Sequence, residues 1–171
     1  MRILKAIGMG LGVFFLTFIV FTSWYIWRYA MEPVATYEIN DPSLENKVLI
    51  ITQGSEYKDA VTDEIIDYLS PHEVYVKVMD ISFLPGQDVD EWSALVLIHT
   101  WEYSKPPSEV KEFMDSDYDP SKVFVITTSG SGEEGMEGID AVTGASKMED
   151  VQENVDKVIV WLEGVLEPTK L

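Results

Sequence analysis

"ALVLIHTWEYSKPPSEVKEFMD", residues 94–115, changes character twice within 22 positions. Its opening holds a continuous apolar run, "LVLI" at 95–98, of the kind that is buried on both faces of a sheet. Its end, "PSEVKEFMD" at 107–115, sets Val110, Phe113 and Met114 on one helical face, with Pro107 suited to a first turn. Between them lies a loop with two aromatic residues, two hydroxyls and two prolines. A strand that runs through such a loop into an amphipathic helix is the building unit of a parallel α/β sheet.

The rest of the chain repeats the unit. "VLII" at 48–51 and "VFVI" at 123–126 are further apolar runs rich in β-branched residues. "EVYVKVMDI" at 73–81 alternates Val74, Val76 and Val78 with Tyr75 and Lys77, the pattern of a half-covered strand. "GIDAV" at 138–142 is a weaker fifth candidate. Helices fall between the strands. In "KDAVTDEIIDYL" at 58–69, Val61, Ile65 and Leu69 form one stripe, with Asp59, Asp63 and Asp67 as a solvated face opposite. "SKMEDVQENVDKVIVWLEGVL" at 146–166 opens on a Ser146–Glu149 capping box and lines up Val151, Val155, Ile159 and Leu162. Only "SFLPGQDVDEW" at 82–92, between the second and third strands, is poor in helix signal. The order predicts an α/β fold, a three-layer α/β/α sandwich, which takes ligands at the carboxyl ends of its strands.

Charge divides the chain of 171 residues. Arg2, Lys5 and Arg28 are its only basic residues before position 31, and all 30 acidic residues come later. From Met31 onward 9 lysines stand against 30 acids, a net of -21. Such a surface excludes nucleic acid, whose binding needs Lys and Arg to displace counterions. The absence of cysteine excludes thiol redox chemistry, thiolate zinc and disulfides, and two histidines exclude a histidine-rich metal site. "DSDYD" at 115–119 lacks the glycine and glutamate that an EF-hand loop requires.

"AIGMGLGVFFLTFIVFTSWYIW", residues 6–27, carries no charge. As a helix it would be about 33 Å long, enough to cross a bilayer core. It exceeds the apolar region of a secretory signal, and Trp24, Tyr25 and Trp27 suit an interfacial belt; the alternative is a cleaved signal ending near "EPVA" at 32–35. Arg2, Lys5 and the amino terminus outweigh Arg28, which predicts a cytoplasmic N-terminus and an extracytoplasmic domain. The expected organisation is a single-pass anchor at 1–30, a linker at 31–46 and an α/β domain at 47–171.

With its strands, loops and helices in this order, the domain resembles a flavodoxin over roughly residues 47–166. Residues 94–115 are similar to that family's third strand, aromatic loop and following helix. The resemblance implies a five-stranded parallel sheet in the order 2-1-3-4-5, and an FMN site built from the loops after its first, third and fourth strands. In the first, "TQGSEYKD" at 52–59, Thr52, Gly54 and Ser55 match the hydroxyl-rich phosphate loop, which here is a residue short and brings in Glu56. In the second, Thr100 precedes Trp101 and Tyr103, which match the aromatics that stack on the flavin ring. In the third, "TTSGSGEEGMEG" at 127–138, Ser129, Gly130 and Gly132 match a flavin-edge loop. His99 ends the apolar strand, where a hydrogen-bonded terminus is expected rather than a general base.

"DAVTGAS" at 140–146 resembles the signature of domains that carry FMN covalently in membrane redox complexes, with Ser146 in the place of the acceptor. The alternative is a strand-to-helix turn with Ser146 as N-cap. Three functions are therefore expected to compete. One is a membrane-tethered FMN carrier that serves a basic or membrane-bound redox partner. The others are a flavin-free acidic interaction module and a covalently flavinylated carrier.

Overall fold

The computed structural model describes residues 2–29, 31–116, 118–139 and 141–166, without the side chains of residues 2–4, 6 and 26–29. Asp117 and Asp140 lie outside the described residues, as do the side chains of Arg2, Trp27 and Arg28. The chain forms two units, Met1–Met31 and Glu32–Leu171. The first is one helix, α1 (Arg2–Tyr29), in which Ile7–Tyr25 is long and apolar enough to cross a membrane. The Thr17 hydroxyl donates to the Val13 carbonyl at 3.0 Å, so the helix satisfies its own polar side chain.

The second unit runs β1 (Tyr37–Ile39), β2 (Asn46–Thr52), α2 (Glu56–Leu69), β3 (Val74–Asp80), β4 (Ala94–Thr100), α3 (Ser108–Ser116), β5 (Val123–Thr128), β6 (Val142–Gly144) and α4 (Val151–Val165). The four-residue apolar runs become strands because each residue buries its side chain on one face or the other. Val48 and Ile50 of β2, with Val96 and Ile98 of β4, face α2 and α4. Leu49, Ile51, Leu95 and Leu97 alternate with them and face Val110 and Phe113 of α3. All eight strand side chains are fully buried. Truncating any of these leucines to Ala would cost about 2–5 kcal/mol, because the cavity is closed in by layers on both sides.

The sheet differs from the expected one. It has six strands in the order β1-β3-β2-β4-β5-β6, and β1 is antiparallel to β3. The five mutually parallel strands follow the order β3-β2-β4-β5-β6. The extra strand comes from residues 31–46, the stretch expected to be a linker. Three further details change. The last strand is Val142–Gly144 rather than 138–142, because only there does the chain pair with Ile126–Thr128 of β5. No capping box forms at Ser146. The Lys147 N–H bonds to the Ala145 carbonyl at 2.9 Å and Met148–Asp150 make a 3-10 turn, so α4 starts at Val151 and Ser146 stays exposed. The crossover from β3 to β4 uses 3-10 turns at Ile81–Gly86 and Val89–Glu91, which bury Ile81, Leu84 and Val89 beneath α3.

Asn40 holds β1 in place. Its backbone is left-handed, with φ 66°, and its Nδ2 donates to the carbonyls of Val74, His72 and Ser70 at 2.8, 3.2 and 3.3 Å. These are the carbonyls that lead into β3, the strand with which β1 pairs. Asn40→Gly deletes the clamp without straining the backbone and should cost about 1–2 kcal/mol. Asn40→Ala adds a left-handed penalty and should cost about 1 kcal/mol more. Denaturant unfolding of the full chain in mild detergent measures both. Wild-type midpoints for the pair would refute the clamp.

Candidate functional site

Three loops leave the carboxyl ends of β2, β4 and β5, and hydrogen bonds draw them together. In the first, Thr52 is buried and its hydroxyl turns to the Gln53 carbonyl at 3.3 Å. Gln53 is buried too, and its Oε1 accepts the Thr100 N–H at 2.8 Å, which ties this loop to the end of β4. Thr100 Oγ1 lies 2.7 Å from Thr128 Oγ1, and the Trp101 N–H donates to the Thr128 carbonyl at 2.8 Å. Ser104 Oγ reaches over to Glu134 at 2.7 Å, clasping the second loop to the third.

Gly54 is bonded to the segment that enters the domain. Its N–H donates to the Glu32 carbonyl at 2.9 Å, and the Glu32 N–H donates to the Gly54 carbonyl at 3.1 Å. A Cβ at Gly54 would lie 2.5 Å from the Glu32 oxygen, so only glycine permits the approach. Ser55 caps α2, accepting the Lys58 N–H, with Glu56 and Asp59 in the first turn. The N–H and helix start that would receive a phosphate thus face a backbone carbonyl and two carboxylates of the protein itself.

The expected aromatics part company. Trp101 is half-buried and its indole N–H is sealed from water with no hydrogen-bond partner. Tyr103 is 96 % exposed. Tyr103 and Ser104 have φ 53° and 58°, and Glu102 and Lys105 exchange backbone hydrogen bonds at 3.0 and 3.1 Å around them. Two left-handed residues at the centre of a two-residue turn normally call for Asn-Gly. A Tyr-Ser pair there stores about 1–2 kcal/mol of strain per residue, a feature that concentrates at functional loops.

In the third loop the Ser129 N–H donates to the Gly144 carbonyl at 3.0 Å, and Ser129 Oγ accepts the Gly132 N–H at 2.9 Å. Gly132 has φ 76°, and a Cβ there would lie 2.9 Å from the Ala145 nitrogen. Gly130 is exposed with open space around it. Hydrogen bonds from Ser104, Ser129 and Ser131 hold the Glu134 carboxyl below its ordinary pKa. Gly144 and Ala145 brace this loop, whereas Ser146 projects into solvent beyond them. Thr52, Gly54, Ser55, Thr100, Trp101, Ser129 and Gly132 are thus gathered along one edge, with Tyr103 and Gly130 at its surface.

Three participants escaped the sequence reading. Gln53 carried no motif. Glu32 lay in the expected linker. Lys58 did have a signal, because it stands three residues before Val61 on the buried stripe of α2. Its side chain is fully buried, with Nζ 3.4 Å from Ser55 Oγ. Burial depresses its pKa to about 8, opposed by the charges of Asp59 and Glu102. His99 is also fully buried, its Nε2 lying 2.9 Å from Thr127 Oγ1. Burial, reinforced by the Lys58 charge, pushes it down to about 4. The neutral, enclosed imidazole, hydrogen-bonded to Thr127, matches the expected strand terminus.

No family model matches the chain, and no curated protein matches it. Among solved structures it is similar to oxidised flavodoxin 2 from Bacillus cereus, at 20% identity over 69% of this chain and 99% of that one, with TM-score 0.45. A flavodoxin from the domain Archaea is similar at 17% identity over 70% of this chain and 98% of that one, with TM-score 0.48. A flavodiiron core from Synechocystis sp. PCC6803 shares 10% identity over 56% of this chain and 26% of that one, with TM-score 0.43. At these scores the fold stands on its own strand order and packing.

Lys58 gives the site a pH signature. Its folded pKa of about 8 lies below the ordinary 10.5. Below pH 8 the ammonium is charged in both folded and unfolded chains, and the full burial penalty applies. Between 8 and 10.5 the unfolded chain binds more protons, so this residue makes stability rise with pH, by at most about 1.4 kcal/mol per unit. Lys58→Met should therefore exceed wild type in stability at pH 7, with the gap narrowing across that window. A gap that stays constant from pH 8 to 10.5 in parallel denaturation curves would refute the charged, buried ammonium.

Proposed function

We propose that this chain is a single-pass membrane protein whose flavodoxin-like domain, outside the cytoplasm, holds FMN at the carboxyl edge of its sheet and passes electrons to a membrane-associated partner. The observation that carries the reading is the clasp of three strand-end loops beneath Tyr103, a fully presented aromatic ring on a strained turn. Bound flavin supplies one- and two-electron redox chemistry, and the protein supplies position and electrostatics.

The two ends of the edge fit that cofactor unequally. At the ring end, Tyr103 offers an open π-face, Trp101 a half-buried wall and Gly130 an unobstructed backbone. At the phosphate end, Gly54 is engaged by Glu32, and the fit requires that pair to open. Two backbone hydrogen bonds are worth about 1 kcal/mol each, so opening them weakens FMN by roughly 30-fold without forbidding it. The acidic first turn of α2 adds repulsion. The reading is therefore of a weakly held flavin, anchored mainly through its ring.

The Glu32–Gly54 pair favours a second reading, in which the loop stays closed and the acidic domain binds a basic partner without flavin. The exposure of Ser146 keeps covalent attachment through the "DAVTGAS" turn as a third.

One preparation separates the three. The full chain, purified in mild detergent from a host that supplies flavin and its attaching enzyme, should be yellow, and acid should release the colour. Colour retained in the acid pellet would select covalent attachment at Ser146. No binding in an FMN titration would select the flavin-free module. Tyr103→Ala should weaken FMN by about 1 kcal/mol, roughly fivefold, if its ring stacks on the flavin. Equal titration curves for variant and wild type would end that assignment.

A further inference from the structure

The loop after β2 commits to the protein itself the groups that a phosphate would need. The Thr52 hydroxyl donates to the Gln53 carbonyl, and the Gly54 N–H donates to the carbonyl of Glu32. Ser55 Oγ accepts from the Lys58 N–H and from Lys58 Nζ, both at 3.4 Å. The Asp59 N–H turns back to the Ser55 carbonyl at 2.8 Å. Gly54, whose missing Cβ would let a phosphate oxygen approach, gives that space to the Glu32 carbonyl.

Charge acts in the same direction. A phosphate monoester carries about -1.5 to -2 at pH 7. Glu56 and Asp59 occupy the first turn of α2. Burial raises the Asp59 carboxyl above its ordinary pKa, and the charges of Asp63 and Glu32 push it the same way. Carboxylates thus already crowd this helix start. The Lys58 ammonium opposes them, with Asp59 and Glu102 already within its electrostatic reach.

The opposite end of the edge suits an uncharged molecule. Tyr103 is 96 % exposed and Gly130 has open space around it. Glu102 in the second loop and Glu134 in the third offer carboxylates, which accept strongly from hydroxyls. Ser104 and Ser131 show that chemistry, donating to Glu134 at 2.7 and 3.3 Å. A polyol tail would donate to such groups in the same way, whereas a phosphate, which only accepts at neutral pH, would be repelled.

We propose that the preferred ligand of this edge is a flat, uncharged aromatic redox molecule with a hydroxylated tail and no phosphate, represented by riboflavin. This rests on the flavin reading above and narrows it. FMN has to open the Glu32–Gly54 pair and face the acidic turn of α2, and a phosphate-free flavin does neither. Discrimination at this site then comes from the closed loop, which leaves the ring end to hold the ligand.

Riboflavin and FMN share one ring system and differ in the phosphate alone. Each is titrated with the full chain in mild detergent, and binding is read from flavin fluorescence. Riboflavin is expected to bind at least as tightly as FMN. Glu56→Gln combined with Asp59→Asn neutralises the first turn and keeps the Ser55 cap. That double variant should tighten FMN several-fold and leave riboflavin unchanged. FMN tighter than riboflavin in the wild-type chain, or FMN unmoved by the double variant, overturns the proposal while the flavin reading stands. Binding of neither flavin removes both.

Discussion

The parallel ladder around β2 is the constraint on which the rest of this domain depends. With β3 on one side and β4 on the other, the central residues of β2, Val48 to Ile51, are buried on both faces of the sheet. A strand in that situation has no solvent face along its centre, so those residues must be apolar, and its polar groups can emerge only at its ends. Thr52, Gln53 and Gly54 emerge at the carboxyl end, Thr100 and Trp101 at that of β4, and Thr128 and Ser129 at that of β5. The candidate site is therefore the place where the ladder lets its chains out. Its clasp of short hydrogen bonds follows from three polar strand ends being forced within reach of one another.

That origin explains what the sequence disclosed. Double-sided burial leaves a conspicuous mark, four apolar residues in a row, so β2, β4 and β5 and the helices packed on them were legible. β1 left no such mark. Its three residues, Tyr37, Glu38 and Ile39, are held by backbone pairing at a sheet edge and by the Asn40 side chain, neither of which requires an apolar pattern. The strand at Val142–Gly144 was displaced by a few positions in the sequence reading, because one buried valine cannot fix a boundary. The start of α4 was misread for a related reason. A Ser-x-x-Glu spacing describes a cap only if the backbone has already turned helical, and here a 3-10 turn intervenes.

The site itself was half legible. Its hydroxyls, glycines and aromatics were visible as residue types, and their gathering followed from the topology. Two contrasts were not visible. The different settings of Trp101 and Tyr103 depend on a left-handed turn that nothing in Tyr-Ser advertises. The partner of Gly54 is a backbone carbonyl in a segment without periodicity, and backbone interactions of that kind have no side-chain signature. The burial of Lys58 shows the converse. Its position on the apolar stripe was readable, but a lysine there invites the assumption that it snorkels to water.

The two margins of the sheet have a bearing on how closely copies of this domain can crowd together. At high local concentration like domains meet often, and open strand edges would join into extended sheets. Here one margin is β1, three residues long and carrying Glu38 in an ion pair with Lys77 at 3.3 Å. The other is β6, also three residues long, which ends in a glycine and a turn. Short, charged or interrupted margins are poor templates for strand addition. Such margins resist the edge-to-edge joining that would drive a longer-edged sheet to polymerise at the same concentration.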